Sequence, residues 1–475
     1  MILSSFKIKS AVIILSIVIV SAFIFLNQNL YTSPNDGILY YSISLNILEN
    51  FSFNSLIFKD DLLFSPQIGI SILMIPFLYL FGSGWYIFFI IFLSLIWYYS
   101  LSNLANTLTV TLFKNSKIFY DQNVIFSFLL LTCISSLMLM RISTSFYNES
   151  LIIPLQIILL SKFLLISSNQ ENLDKKNMLI FLISFVGIFF RLQFVVFFMS
   201  MFIGLYLFKR IKISSLFISL IPVVIYFALF YYLQNNFHVN VSTSEVSNIL
   251  DNVGIKIFFS INSLAIILNL YFIGLGNTYF LIGLMPLSII YAKSLNYLYK
   301  ENKLFSFLLG MTILGNLLFV FIFIPVSFFD DFIRYYWIQL IPLSILLMLF
   351  INNHSSFLTK YLNFLSTIFF LTFFLTTFYF KDNIIEKINE SLFGNNLKNI
   401  DFINEKWNLK EQNLYSEDLK REYFWITKQG TYNLKTLNYL NCSKNKNHFI
   451  LSKKTLEDFI EIDKIGEVRL YKACN

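Results

Sequence analysis

Long apolar runs recur through the first 380 residues of this chain, each close to the ~20 residues that cover the hydrocarbon core of a bilayer. Hydrophobic residues make up 57% of the sequence and charged residues 13%, whereas soluble proteins carry roughly 45–50% and about 25%. The clearest runs lie at positions 11–26, 85–112, 124–140, 151–166, 213–233, 263–291, 304–325, 336–351 and 361–380. This pattern predicts a polytopic membrane protein.

The formal charge of +8 is spread over short segments between these runs, which is the topological signal of membrane proteins and not a basic patch. We therefore expect no nucleic-acid partner. Lys7 and Lys9 precede the first run, and no small-residue cleavage site follows it. These features favour an uncleaved anchor whose amino terminus is cytoplasmic.

Two segments do not fit a simple crossing. Residues 66–82 are apolar but short and contain Pro76, which favours an interfacial or re-entrant segment. Residues 178–208 are too long for one ordinary span and are interrupted by Arg191, so we interpret them as a hairpin with Arg191 at its outer turn. The topology then has about eleven transmembrane helices, and the carboxyl terminus lies outside.

The composition also divides the chain. Residues 1–380 are predicted to form an all-α transmembrane domain, in which residues 27–84 are the first outer loop with interfacial helices. Residues 381–475 are polar and charged, with β-leaning runs at 448–451 and 467–471, and are predicted to form a small soluble α+β domain outside. Cys442 and Cys474 both lie in it, and a disulfide and two unpaired thiols fit the sequence equally well.

An acidic residue, Asp36, follows the first apolar run. In a helix that begins here, Asp36, Tyr40 and Ser44 share one stripe and Tyr41 lies on the far side. A carboxylate at this place is a candidate general base for a substrate whose reactive group sits in the headgroup layer. The same residue fits a plain helix N-cap equally well.

Further ionisable groups fall on the outer face in this topology: Arg141, Glu149, Arg191, and Arg334 with Tyr335. Ionisable groups at a bilayer edge are functional hypotheses by default. Each has a structural alternative. An acid in the first turn of a helix, such as Glu149, is favoured by the helix dipole. Arg141 and Arg334 fit the role of helix-end anchors, and the pair Asp330-Asp331 is more typical of a solvated turn than of a metal site.

The order of these residues resembles that of the GT-C glycosyltransferases, which are multi-pass membrane enzymes that include the protein O-mannosyltransferases and the aminoarabinose transferase of lipid A. Asp36, Tyr40 and Ser44, followed by the run 46–53, resemble the first outer loop of that family. Residues 66–69 and the later Phe81-Gly82 resemble its second interfacial helix, although Gly69-Ile70-Ser71 replaces the usual G-Y-P.

Three later stretches extend the resemblance in the same order along the chain. They are Tyr147-Asn148-Glu149, Phe190-Arg191, and Arg334-Tyr335 with Pro342. The resemblance covers most of residues 1–380 and none of the tail.

The resemblance implies transfer of a sugar from a polyprenyl-phosphate-linked donor to a lipid, glycan or protein acceptor on the outer face of the membrane. It implies Asp36 as the base, Glu149 as a second carboxylate, and Arg334 with Arg191 or Arg141 as phosphate partners. Tyr40 and Tyr335 would then contact substrate. Some members of the superfamily use a divalent cation, Mg²⁺ or Mn²⁺, but no residues here define a metal site. The length of the chain and the absence of a retention signal favour a bacterial inner membrane, and an endoplasmic reticulum membrane is the alternative.

Two other functions fit the composition. A flippase or transporter for a lipid-linked saccharide would share the apolar runs and the charges within them, although the sequence has no paired repeats. A polysaccharide polymerase or ligase would differ mainly in the position of its long outer loop.

Overall fold

The structure, a computed structural model, describes most of the chain in thirteen separate ranges. They are residues 35–52, 55–57, 68–116, 118–134, 148–236, 280–323, 337–354, 394–416, 418–419, 423–424, 427–432, 448–456 and 459–472. The described residues within 90–229 and 242–379 form one compact unit, and those within 18–89, 230–241 and 380–475 form a second. We call them the helical unit and the mixed unit.

The helices, numbered in chain order, are mostly short. They are α1 (Asn35–Asn50), α2 (Gly69–Phe81), α3 (Trp85–Val110), α4 (Gln122–Ile134), α5 (Glu149–Ser167), α6 (Lys175–Ile183), α7 (Gly187–Phe190), α8 (Phe194–Leu207), α9 (Ile213–Asn236), α10 (Phe280–Glu301), α11 (Lys303–Phe323), α12 (Trp337–Asn353) and α13 (Gly394–Trp407). Short 3₁₀ turns at Gly82–Gly84 and Ser184–Val186 link α2 to α3 and α6 to α7.

The prediction of about eleven transmembrane helices is wrong for the part of the chain that the structure describes. Among the residues whose side chains the structure describes, two helical segments are long and apolar enough to cross a membrane. These are Glu149–Ser167, with a mean hydropathy of 2.0, and Lys303–Val320 within α11, with 1.8. They support an association with membranes. The predicted spans at 11–26 and 361–380 lie outside the described residues.

Breaks within apolar runs account for part of this correction. The run at 178–208 is divided among α6, a 3₁₀ turn, α7 and α8. Apolar side chains also pack inside the protein. In α5, 72% of the most apolar 18-residue stretch is buried against other parts of the chain.

The helical unit has one large apolar core. Fully buried side chains from α5, α8, α11 and α12 meet in it, with Phe163, Phe198, Leu308 and Ile341 among them. Helices α8 and α11 pack closely, because Gly204 of α8 faces Phe307 and Gly315 of α11 faces Val196. A Cβ at Gly315 would lie 2.7 Å from Val196, so glycine allows this approach of the two helices.

Pro154 interrupts the backbone hydrogen bonding of α5 in this core, and a side chain from a neighbouring helix compensates. Proline has no N–H, so Pro154 in α5 cannot donate to the carbonyl of Ser150, four residues earlier. The indole Nε1 of Trp97 donates to that carbonyl at 2.8 Å. Polar backbone groups in an apolar interior are thus satisfied from outside their own helix.

In the mixed unit, α1 packs against α2 through small polar residues. The hydroxyl of Ser44 donates to the backbone carbonyls of Tyr40 at 2.7 Å and of Ser71 at 2.9 Å. The hydroxyls of Ser42 and Ser55 share a hydrogen bond of 2.7 Å. Small side chains with short hydrogen bonds let two helices approach closely.

The remainder of the mixed unit contains a four-stranded sheet. Its strands are β1 (Asn413–Tyr415), β2 (His448–Ser452), β3 (Ile460–Ile465) and β4 (Val468–Lys472), in the order β1-β2-β4-β3. The β1–β2 pair is parallel and the other two pairs are antiparallel. Helix α13 covers one face, where Ile400 and Ile403 join Phe449, Leu451 and Leu470 in a core.

Candidate functional site

A buried ion pair lies in the helical unit. Arg191 donates from Nη2 to Oε1 of Glu149, and the two residues are 5% and 0% exposed. Glu149 is the first residue of α5, directly after the N-cap Asn148, where an acid is favoured by the positive end of the helix dipole. The structure thus brings together two residues that the sequence indicated separately.

Arg191 lies at a break in the chain. It follows α7 with an extended backbone, φ −152° and ψ 124°, and α8 begins three residues later at Phe194. The ring of Phe194 packs against Gly187 so closely that a Cβ there would overlap it. The chain therefore turns sharply at 191–193, and the turn carries the guanidinium to α5.

The residue that ends this turn, Gln193, makes two side-chain hydrogen bonds. Its Oε1 accepts from the indole Nε1 of Trp337 in α12 at 3.1 Å, and its Nε2 donates to Oδ1 of Asn316 in α11 at 3.3 Å. Gln193 is 3% exposed, Trp337 1% and Asn316 0%. Three elements of the helical unit are therefore connected through one buried amide.

Polar groups continue further into the apolar core. Gln156 lies seven residues after Glu149, on the same face of α5, and donates to the carbonyl of Ile338 at 2.7 Å. Gln339 donates to the carbonyl of Ile313 at 2.9 Å. The Oε1 atoms of both amides and Oγ1 of Thr312 are buried with no hydrogen-bond partner among the residues that the structure describes. Buried polar groups in an apolar setting are costly, and such groups are typical of functional sites.

The Arg191 guanidinium suits recognition of an anion. The guanidinium is planar and always charged, and it can bind two phosphate oxygens at once. In the present arrangement its charge is balanced by the Glu149 carboxylate, so the pair is neutral overall. An incoming phosphate would have to compete with that carboxylate for Arg191.

The other candidate residues of the first outer loop lie in the mixed unit. Asp36 lies in the first turn of α1, and its side chain is outside the described part of the structure. Tyr40 is buried, with 4% of its surface exposed, in the stripe whose next member, Ser44, contacts α2. The predicted stripe therefore faces the protein at Tyr40 and Ser44.

Tyr41, which helical periodicity places on the far side from Asp36 and Tyr40, lies at the centre of an aromatic group. Its ring stacks on Trp85 with centroids 5.3 Å apart, and Phe424 meets it edge-on at 6.4 Å. The ammonium group of Lys428 lies 4.8 Å from the centre of the same ring. No short-range pattern connects residue 41 with residue 428, so sequence spacing could not have found this contact.

The surroundings alter the acidity of both groups. Burial, with a smaller effect of Glu49, raises the pKa of Tyr41 to about 12. Burial lowers the pKa of the Lys428 ammonium to about 8, although the residue as a whole is exposed. Lys428 also has a positive φ of 59°, an uncommon backbone conformation for a residue with a Cβ.

The remaining predicted site residues, Arg141, Arg334 and Tyr335, lie outside the described residues, as do Asp330, Asp331, Cys442 and Cys474. Within the described ranges, no group of three or more histidine, cysteine, aspartate or glutamate residues could hold a metal ion.

Comparison with known proteins gives no relative. No family model matches the sequence, and no curated protein or solved structure is significantly similar to it.

Proposed function

We propose that this protein is a membrane-associated glycosyltransferase that uses a polyprenyl-phosphate-linked sugar, with Arg191 and Glu149 at the site of the donor phosphate. The buried Arg191–Glu149 pair carries this proposal, because a charged pair in an apolar helical core is costly and is retained where it serves a function. The order of polar residues along the chain, which resembles that of GT-C glycosyltransferases, supports it.

In the proposed reaction the acceptor hydroxyl oxygen attacks the anomeric carbon of the donor sugar. The bond from that carbon to the phosphate oxygen breaks, and polyprenyl phosphate leaves as an anion. Arg191 stabilises the charge that develops on the phosphate, and a carboxylate takes the proton of the hydroxyl. We assign the base to Asp36 and an orienting role to Glu149, with no step through a metal ion.

The location follows from the donor. Nucleotide sugars are not available beyond the membrane, so enzymes that act at its outer face use lipid-linked sugars. We therefore propose a bacterial cell membrane, with a cytoplasmic amino terminus and residues 381–475 outside. A lipid, glycan or protein on that face would be the acceptor.

One observation favours a second candidate, a transporter or flippase for a lipid-linked saccharide. The apolar segment 178–208 is interrupted at Arg191, between the four-residue helix α7 and the 14-residue helix α8. Discontinuous helices that present charge within an apolar region are typical of transporter binding sites.

The two candidates differ in whether the donor is cleaved. The full chain would be placed in proteoliposomes with a donor that carries a radiolabelled sugar, together with a cell-envelope extract as acceptor. A transferase releases free polyprenyl phosphate and labels the extract. A transporter moves intact donor across the bilayer and releases none, which would contradict the first proposal.

Substitution of Arg191 tests whether this residue belongs to the site of the donor phosphate. Arg191→Lys keeps the charge but loses the planar fork, so we expect donor cleavage to fall at least about 100-fold, roughly 3 kcal/mol of transition-state stabilisation. Arg210→Lys is the matched control, since Arg210 is exposed and bonds Asn169. Equal activity of the two variants would remove Arg191 from the site.

The carboxylate needs a separate control for folding. Glu149→Gln leaves the Arg191 guanidinium buried beside a neutral group, which destabilises the protein by itself. In the double variant Glu149→Gln, Arg191→Gln, both charges are removed and folding should recover. Activity that stays absent in a well-folded double variant supports a role in the reaction, and recovered activity contradicts it.

A further inference from the structure

The backbone hydrogen bonds of the turn that carries Arg191 are local. The Arg191 N–H donates to the carbonyl of Gly187 at 3.1 Å, and the N–H groups of residues 194, 195 and 196 donate to the carbonyls three residues earlier at 2.9, 3.0 and 3.0 Å. These bonds link residues three or four apart. They fix the shape of the turn, but they do not attach it to the helices that surround the ion pair.

Side chains supply that attachment. Gln193 lies two residues after Arg191, and its amide bonds α12 through Trp337 and α11 through Asn316. An indole N–H can only donate, so the amide oxygen of Gln193 must face Trp337 and its nitrogen must face Asn316. The arrangement uses a donor and an acceptor of one side chain, which a leucine or a glutamate at this position could not reproduce.

We infer that Gln193, Asn316 and Trp337 are positioning residues that hold the 191–193 turn so that Arg191 meets the donor phosphate. We call these three residues the Gln193 clamp. The inference rests on the proposed function, in which Arg191 is the group that contacts phosphate. A misplacement of about 1 Å in such a group costs on the order of 100-fold in rate, so a clamp two residues away has a measurable effect.

Burial strengthens the clamp. All three side chains are 3% exposed or less, so their hydrogen bonds form in a low-dielectric interior where water cannot replace them. Once a hydrogen bond of the clamp is lost, the turn can adopt several positions, and the Arg191 guanidinium is no longer held in one place. Stabilisation of the charge on the departing phosphate should then weaken, and kcat/KM for the lipid-linked donor should fall.

The first test is kinetic and compares variants that each remove one clamp bond. Trp337→Phe removes the indole N–H and keeps most of the ring, and Asn316→Leu removes the acceptor for Gln193. For each we expect kcat/KM for the lipid-linked donor to fall about tenfold, because the displaced guanidinium stabilises the departing phosphate less well. Gln339→Met is the matched control, because it removes a buried hydrogen bond between the same two helices, from α12 to the Ile313 carbonyl, without touching the turn.

The second test does not need transferase activity. Phenylglyoxal modifies accessible guanidinium groups, and peptide mass spectrometry of the full-length protein measures the modification of Arg191 relative to that of the exposed Arg210 in the same sample. We expect Trp337→Phe and Asn316→Leu to raise the relative rate at Arg191 about tenfold. We expect Gln339→Met to leave it at the wild-type value.

The outcomes separate the clamp from the function. If the wild-type protein cleaves no donor but the clamp variants expose Arg191, the proposed function fails and the clamp remains as a positioning device. If the clamp variants match Gln339→Met in Arg191 modification, the inference is overturned, whatever the activity. A fall in kcat/KM of the same size in Gln339→Met would also overturn it, since that result indicates a general loss of structure.

Discussion

The amide of Gln156 in α5 donates to the backbone carbonyl of Ile338 in α12 at 2.7 Å, and that carbonyl lies four residues before Pro342. In an uninterrupted helix the N–H of residue 342 would bond this oxygen, but proline has none. Gln156 therefore replaces a bond that the backbone of α12 cannot make. The pair formed by Trp97 and Ser150, next to Pro154, is a second case of the same relationship.

Replacing Gln156 by methionine should destabilise the helical unit by roughly 1–3 kcal/mol, because the Ile338 carbonyl then stays buried without a partner. Thermal unfolding of the purified protein in detergent measures the loss. In a Pro342→Ala background the backbone N–H of residue 342 can bond the carbonyl, so the same substitution should cost less. Equal costs in the two backgrounds would show that Gln156 does not serve this carbonyl.

The control for that experiment is Gln339→Met. Gln339 also donates to a helix carbonyl, that of Ile313, but the residue four positions later, Leu317, has an N–H that bonds the same oxygen in a regular helix. Loss of the side-chain bond then leaves no unpaired carbonyl. We expect a cost clearly below that of Gln156→Met.

The Glu149–Arg191 pair should show strong coupling. Arg191→Met alone leaves a buried carboxylate without its cation and should cost about 3–5 kcal/mol. Arg191→Met combined with Glu149→Leu removes both charges and should cost much less than the sum of the two single changes. Urea or thermal unfolding of the four proteins gives the coupling energy directly. Additive effects would mean that the two side chains do not interact in the folded protein.

Part of this fold could be predicted from the sequence. The interruption at Arg191 was read from one charged residue within an apolar run, and the chain does break there. The β-leaning runs at 448–451 and 467–471 correspond to strands β2 and β4. In each case a local signal, either a charge or alternating side chains, determines a local structure.

The number of spans could not be predicted in this way. Apolar composition shows that a segment avoids water, but it does not distinguish lipid from protein as the surroundings. The segment Glu149–Ser167 is as apolar as a lipid-facing helix, and yet most of it is buried within the helical unit. Helix length is also hidden, because breaks such as the 3₁₀ turn Ser184–Val186 divide an apolar run without a polar signal.

The candidate site, like the fold, could be predicted from the sequence only in part. Glu149 and Arg191 were each recognisable as ionisable groups at the edges of apolar runs, but their pairing depends on tertiary structure. Gln193 and Trp337 carried no signal at all, since an amide or an indole near a helix end is ordinary. Helical periodicity pointed to Tyr40, whereas the ring that receives Lys428 belongs to Tyr41.

Lys428 should give the mixed unit a distinct dependence on pH. Its pKa is about 8 in the folded protein and near 10.5 when unfolded, so between these values the unfolded chain binds more protons. The free energy of unfolding therefore rises as pH increases from 8 to 10.5, because deprotonation relieves the cost of burying the charge. Thermal unfolding of wild type and Lys428→Met across this range should show the rise in wild type only.

The control for the pH experiment is Lys472→Met, since Lys472 is an exposed residue at the end of β4. Subtracting its profile removes the general effect of losing one positive charge. If wild type, Lys428→Met and Lys472→Met have parallel profiles between pH 8 and 10.5, the ammonium group of Lys428 is not desolvated over Tyr41.

Gly430 should be the least replaceable residue of the segment 427–432. The N–H of Thr431, which follows it, donates to the carbonyl of Ile57 at 3.0 Å, so the two backbones lie side by side. A Cβ at Gly430 would overlap the carbonyl oxygen of Leu56 and lie 2.9 Å from that of Ile57. Backbone atoms cannot rotate away, so Gly430→Ala should separate the two segments at a cost of about 1–3 kcal/mol. Hydrogen exchange at the Thr431 amide measures the separation.

Gly84→Ala is the control for this substitution, because a Cβ at Gly84 would have no atom within 4 Å. Unchanged protection of the Thr431 amide in Gly430→Ala would contradict this close contact.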